Sequence, residues 1–239
     1  MIGVISSTIF PSDEPMYWGS PRTILPSSAR LEQTQGTIVS LLEAGISEIN
    51  LVDNSGGQWI PGTENDLQPA RVQICDQYQF QNKGISEILM LLSVLPQIPN
   101  DKPILKISGR YLLKRPVDMN IGNAELAVKL YRPSARDKTE MSTRCYWVKN
   151  REVFEDFLIS ILRELYSSRA KITGFGSALR LIRNSVFPGN DKYPYHDPVD
   201  GIEKAAARVL ETRRFKVRYL DSLRIEGISG DRDQRLIRE

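Results

Sequence analysis

Residues 48–57, EINLVDNSGG, hold a short, largely apolar run, Ile49–Val52, that stops at an acid, an amide and a hydroxyl before two glycines. A run with apolar side chains pointing to both faces is a strand covered on both sides, the mark of a parallel sheet under helices. The triplet Asp53-Asn54-Ser55 then falls at the strand's carboxyl end, and the glycines turn the chain. Upstream, Leu31, Thr34, Ile38, Leu41 and Leu42 recur at helical spacing, with Ser27 or Ser28 as the expected cap and Gly45 as the stop. Before that helix, Ile2–Ile5 reads as a buried strand running into Ser6, Ser7 and Thr8. Pro11, Pro15 and Pro21 mark irregular chain beyond it.

Downstream the alternation continues. ARVQICDQ, residues 70–77, is a third strand. Lys83 opens a helix through Leu95, with Ile85, Ile88, Leu89 and Leu92 on one face, and Pro96 and Pro99 stop it. KPILKISGRY, residues 102–111, is a fourth strand. This order predicts an α/β fold: a single Rossmann-like domain with a mostly parallel central sheet flanked by helices. Ligands of such sheets bind outside the carboxyl ends of the strands. Ser6–Thr8, Asp53–Ser55 and Ser108–Arg110 all fall there.

The second half carries weaker patterns. Leu126–Tyr131 and Thr143–Val148 read as strands, and Val153–Leu165 as an amphipathic helix packed on the core. A Pro- and Tyr-rich loop over 187–200 precedes a short helix, Ile202–Leu210. Phe215–Leu220 and Leu223–Gly227 are further strands, and residues 231–239 a mobile charged tail.

Composition sets the outer bounds. With 41% hydrophobic and 26% charged side chains, the 239 residues can bury a real core, which excludes a disordered or fibrous chain. The longest apolar stretch, around Ile88–Leu95, is too short to span a bilayer, and the first residues lack the pattern of a signal peptide. Two cysteines cannot form a disulfide scaffold. The expectation is a soluble, cytoplasmic protein. A net charge of +3 argues against a nucleic-acid partner. Residues 102–115 nevertheless hold five basic side chains and no carboxylate, which suits a small polyanion or, alternatively, a solvated strand edge guarded by lysines. Residues 202–239, with ten basic and seven acidic side chains, leave peripheral contact with the inner face of an anionic membrane open.

Several chemistries are missing. There is no GxxxxGK[ST] loop and no GxGxxG opening a helix, and Gly174-Phe175-Gly176-Ser177 lacks the spacing of a nucleophile elbow. His196 is the sole histidine, so a multi-histidine metal site within the chain is impossible.

Four stretches, IGVISSTIFP from Ile2, ARLEQTQGTIVSLLEAGISEINLVDNS from Ala29, QNKGISEILMLL from Gln81 and KPILKISGRY from Lys102, resemble GT-A-type nucleotide-sugar glycosyltransferases. The likeness is to the bacterial and viral surface-polysaccharide type, strong over residues 1–115 and weak beyond. It implies a donor-binding half over 1–115 and an acceptor-binding, catalytic half over 116–230. It also implies contacts from Ser7 and Thr8 to the nucleoside, and from Asp53 to base or ribose with Asn54 and Ser55 beside it. Lys83 would hold phosphate or sugar hydroxyls at a helix start. The chain departs from the family pattern in one place. Where many members carry a metal-binding Asp-x-Asp, it has Ser108-Gly109-Arg110. A guanidinium neutralises a leaving diphosphate directly, with Lys106 or Lys83 assisting, so no divalent metal or other cofactor is expected. Gly109 would let the backbone approach the ligand.

The implied activity is transfer of a sugar from a nucleoside diphosphate to a saccharide or lipid-linked acceptor in polysaccharide biosynthesis, inverting and metal-independent. Glu203 is the first choice for the base and Asp197 the second; His196, Asp200, Glu140 and Asp156 follow. Tyr193, Tyr195 and Trp147 could stack on sugar rings. Bland readings stand beside these: Asp53 as a strand-end turn former, Lys83 as a solvated helix lysine, Arg110 as an ion-pair residue, Trp147 as core. The alternatives for the whole chain are a sugar-nucleotidyltransferase, though no glycine- and arginine-rich loop follows the first strand, and a non-catalytic sugar- or nucleic-acid-binding module.

Overall fold

A computed structural model describes residues 1–12, 24–76, 78, 80, 82–115, 121–132, 139–170, 200–228 and 235–239. The first half runs β1 (Ile2–Ser7), α1 (Ser27–Glu43), β2 (Glu48–Asp53), β3 (Arg71–Ile74), α2 (Lys83–Val94) and β4 (Ile104–Ser108). Short strands β5 (Tyr111–Leu113), β6 (Leu126–Val128), β7 (Leu130–Tyr131), β8 (Glu140–Met141) and β9 (Cys145–Val148) follow. The described remainder is α3 (Arg151–Ala170), α4 (Ile202–Glu211), β10 (Val217–Tyr219), β11 (Ile225–Ile228) and β12 (Leu236–Arg238).

Seven strands form the central sheet in the order β10-β6-β9-β4-β1-β2-β3. The pairs β1/β2, β1/β4, β2/β3 and β6/β10 are parallel, and only β9 runs antiparallel to its neighbours β4 and β6. The expected α/β architecture with a mostly parallel sheet is therefore present. From β1 the chain builds outward through β2 and β3 on one side and places β4 on the other. The strand order reverses between β1 and β4, and such a reversal opens a crevice at the carboxyl ends of the two strands.

Helices cover both faces. On one, α1 packs Ile38 and Leu41 against Ile5, Leu51, Leu105 and Trp147; on the other, α2, α3 and α4 bury Ile88, Leu91, Phe154, Phe157 and Ala206 against Val4 and Ile104. The α1 cap is Pro26 rather than a serine, with no side-chain bond to the helix start. Its end is as the sequence implies: Gly45 and Ile46 donate to the Leu42 and Leu41 carbonyls at 2.9 Å each, a Schellman closure with Ile46 and Leu41 both buried. The buried face of α2 is rotated from the expected one. Ile85, Ile88, Leu91 and Val94 are covered, while Leu89 and Leu92 are only partly so, and Ile202 of α4 packs against the helix start at Gly84.

Two expectations are corrected. The basic segment is a guarded edge only in its second half: β4 lies between β1 and β9 with Lys106 wholly buried, whereas β5 is an edge strand with Lys114 and Arg115 exposed after it. The final residues are not a free tail, since β12 pairs antiparallel with β11, which continues to β5 in a second, three-stranded sheet. No described helix is long and apolar enough to cross a membrane.

Candidate functional site

The crevice at the β1/β4 reversal is a cavity of about 180 Å³. Its rim is laced by backbone bonds, Gly109 N–H to the Ser6 carbonyl (2.9 Å) and Asn54 N–H to the Ser7 carbonyl (3.0 Å). Ser7, Thr8, Asn54, Lys83, Ser108, Gly109 and Arg110 line it together with Ser6, Pro11, Ser12, Arg30, Thr34, Tyr78, Ser86, Glu87 and Met90. Seven of the residues singled out in the sequence thus meet in one place.

The cavity is cationic. Arg110 is half-buried, lies 5.9 Å from the Tyr111 ring centre, and has no carboxylate partner among the described residues. An ion-pair role for it finds no counter-ion there. Arg30, which sequence reasoning passed over, reaches in from α1 and donates from Nε to the Thr8 carbonyl. Burial and the nearby Arg110 guanidinium pull its pKa down to about 10, against the opposing pull of Asp53. Its spacing was the available signal. Arg30 stands one helical turn before Thr34, whose hydroxyl lies 3.2 Å from the Gly109 carbonyl, so both face the strand ends. Lys83 is exposed on the first turn of α2. The Gly84 N–H beside it is already taken by the Asn82 side chain at 3.0 Å, so the helix start offers a ligand one donor fewer.

Two glycines shape this wall for packing. A Cβ on Gly109 would come within 3.0 Å of Thr34 Oγ1 and 3.3 Å of Ile5, so its smallness lets α1 close on the strand ends. A Cβ on Gly227 would fall 2.2 Å from the Arg110 carbonyl, so β11 can lie against the backbone after Arg110 only with glycine there.

Asp53 does not line the cavity. It is fully buried, and its oxygens accept from Ile9 N–H (2.9 Å), Ser55 N–H (2.9 Å) and the Ser55 hydroxyl. The contact with base or ribose expected of it is replaced by the strand-end turn role, because the chain's own donors saturate it. Asn54 is a positioning residue: its amide donates to the Tyr78 carbonyl (3.0 Å) and accepts from the Tyr78 N–H (2.8 Å), holding Tyr78 against the cavity.

Lys106 also departs from expectation. Its ammonium bonds Glu87 and the Thr143 carbonyl (2.5 Å) beneath the cavity floor, 5.5 Å from the Tyr146 ring centre, instead of facing a leaving group. Glu203, on the first turn of α4, is largely buried near the Thr143 hydroxyl (3.4 Å) and is not among the lining residues. Burial pushes its pKa up, and the charges of Glu87 and Glu140 add to the effect. The other acids have partners: Asp200 with Arg208 (3.0 Å), Asp156 with Arg214 (2.5 Å), Glu140 with the Tyr131 hydroxyl (3.0 Å). Trp147 is 2% exposed and belongs to the core, not to a stacking surface. Asp197, His196, Tyr193 and Tyr195 lie outside the described residues.

Among the described residues the lining offers no ligand set for a divalent cation. The β4 end presents a hydroxyl and a guanidinium, Glu87 is already paired with an ammonium, and no group of three metal-ligating side chains occurs among the described residues.

No family model and no curated protein matches this chain. Among solved structures it is similar to a putative glucose-1-phosphate thymidylyltransferase from Bacillus anthracis in complex with sucrose, at 10% identity over 98% of this chain and 92% of that one, TM-score 0.48. It is also similar to the galactosyltransferase LgtC in complex with donor and acceptor sugar analogues, at 9% identity over 92% and 73%, TM-score 0.47. A nucleoside-diphosphate-sugar pyrophosphorylase from Vibrio cholerae matches at 10% identity over 98% and 97%, TM-score 0.48. At such identities and scores the chemistry has to be read from the cavity itself.

Proposed function

We propose that the cavity binds a nucleoside-diphosphate sugar and that the protein is a glycosyltransferase acting on a saccharide or lipid-linked acceptor. The observation that carries this reading is the convergence of Arg30, Arg110 and Lys83 on one switch-point cavity whose β4 end bears no carboxylate. Two guanidiniums that repel one another are stabilised together by a multiply charged anion placed between them. Arg110 meets the phosphate oxygens as the bond to the anomeric carbon breaks and charge builds on the departing diphosphate, which then needs no metal. Ser7, Thr8, Asn54 and Tyr78 line the nucleoside side. Glu203, or Asp197, takes the acceptor hydroxyl's proton as that oxygen attacks from the opposite face, giving inversion. Peripheral contact with an anionic membrane would bring in a lipid-linked acceptor.

Thermal denaturation with UDP, GDP, their triphosphates and orthophosphate tests the reading. A nucleoside diphosphate at a hundred times its Kd should raise Tm by about 5–10 °C. Stabilisation by triphosphates alone favours nucleotidyl transfer, and indifference to all nucleotides favours a non-catalytic module. Turnover should survive EDTA; loss restored by manganese overturns the metal-free step. Glu203→Gln should lower kcat about 10²–10⁴-fold while nucleotide binding persists, and near-normal turnover would remove Glu203 from the mechanism.

A further inference from the structure

Among the described residues that line the cavity, Glu87 alone carries a negative charge. Both of its bonds go to one oxygen: the Ser6 hydroxyl at 2.9 Å and the Lys106 ammonium both meet Oε1. Oε2 has no protein partner among the described residues, and the side chain keeps 21% of its surface on the cavity floor. An open carboxylate oxygen in a site otherwise rich in cations calls for a hydrogen-bond donor. The fully buried Lys106 already balances the charge, so that donor is a neutral group and not another cation.

Helix geometry says where the donor comes from. Lys83 and Glu87 are one turn apart on α2, about 5–6 Å along one face, with Met90 the next lining residue on the same helix. A diphosphate held by Lys83 and the arginines therefore presents its terminal substituent to Glu87 Oε2 and the side chain of Met90. A hydroxyl donor next to an apolar surface is the pattern of a sugar ring, with O–H groups at its edge and C–H groups on its face.

We propose that Glu87 Oε2 accepts a hydrogen bond from a hydroxyl of the transferred sugar, and that Glu87 is a specificity-determining residue for the donor. This rests on the nucleotide-sugar reading above. Calorimetric titration separates the two. Wild type, Glu87→Gln, and Glu87→Gln combined with Lys106→Met (which removes the stranded buried charge) are titrated with UDP, UDP-glucose, UDP-galactose, UDP-N-acetylglucosamine, GDP and GDP-mannose. In the wild type at least one nucleotide sugar should bind more tightly than its parent diphosphate. Both variants should lose that advantage, weakening the sugar nucleotide about ten- to hundredfold, while affinity for the parent stays within about twofold. Equal losses for parent and sugar nucleotide, loss of diphosphate binding in both variants, or no sugar advantage in the wild type overturns the assignment of Glu87. No diphosphate binding by the wild type overturns the donor reading as well.

Discussion

β2 and β4 both flank β1, run parallel to it, and end in a polar triplet at the same edge of the sheet. The triplets behave in opposite ways. Asp53-Asn54-Ser55 turns inward: the carboxylate binds three donors of the chain itself and the Asn54 amide ties down Tyr78. Ser108-Gly109-Arg110 turns outward, with its guanidinium in the cavity and no described carboxylate beside it. Chemistry explains the difference. A loop after a strand is rich in N–H groups that sheet pairing leaves over, and a carboxylate is an acceptor that satisfies them. A guanidinium carries five donors and finds few spare acceptors there, so it remains available to an anion. Position at a strand end gives the place of a site, whereas hydrogen-bond accounting decides which residues can serve it.

The largest expected effect lies at β2. Asp53→Ala strands the Ile9 and Ser55 N–H groups and the Ser55 hydroxyl in a buried position. It should cost about 3–5 kcal/mol in urea unfolding and lower Tm by roughly 10 °C. A variant of native stability that had lost nucleotide binding would instead make Asp53 a ligand contact and erase the contrast between the two strand ends. At β4 the pattern should reverse. Arg110→Ala should leave Tm within about 2 °C, because the half-buried guanidinium has no described carboxylate partner to strand, yet lower turnover about 10²–10³-fold. Arg110→Lys should restore only part, because an ammonium lacks the two-pronged fork. Equal stability losses for Asp53→Ala and Arg110→Ala would show that both triplets are scaffold.

The same distinction marks what the sequence could tell. Strand positions, the sheet's mostly parallel character and the cluster of polar strand ends were legible, because burial on both faces and helical spacing write themselves into local patterns. Ser6, Ser7, Thr8, Asn54, Ser108, Gly109 and Arg110 were named from strand-end position, and Lys83 from the family resemblance. Arg30, Glu87 and Lys106 were not placed correctly, since their roles depend on pairings of α1 with the loop after β1 and of α2 with β1 and β4, contacts 19 to 81 residues apart. The inward turn of Asp53 stood in the sequence only as one of two readings: Ser55, two residues on, supplies two of its donors, but the third belongs to Ile9, 44 residues away. The strand β12 was missed because three residues in a charged segment carry no pattern of their own until β11 supplies a partner.

A third carboxylate sharpens the comparison with the smallest effect. Where Asp53 is saturated with donors, Glu203 has a hydroxyl at 3.4 Å, is largely buried, and lies near the charges of Glu87 and Glu140. Its folded pKa is raised above the reference value of 4.5. Between those two values the folded chain holds a proton that the unfolded chain releases. The stability contributed by that proton is full below the unfolded pKa and is lost as pH rises through the folded one. Above the unfolded pKa the burial of Glu203 is thus a cost to folding. Glu203→Gln should melt slightly above wild type at pH 7, by about 0.5–1 kcal/mol. It should also flatten the decline in stability as pH rises from the ordinary carboxylate range. Melting curves of both proteins from pH 4 to pH 8 check this. A variant that melts below wild type throughout would group Glu203 with Asp53 as part of the scaffold, and a carboxylate kept at a cost to the fold would then have to be sought elsewhere.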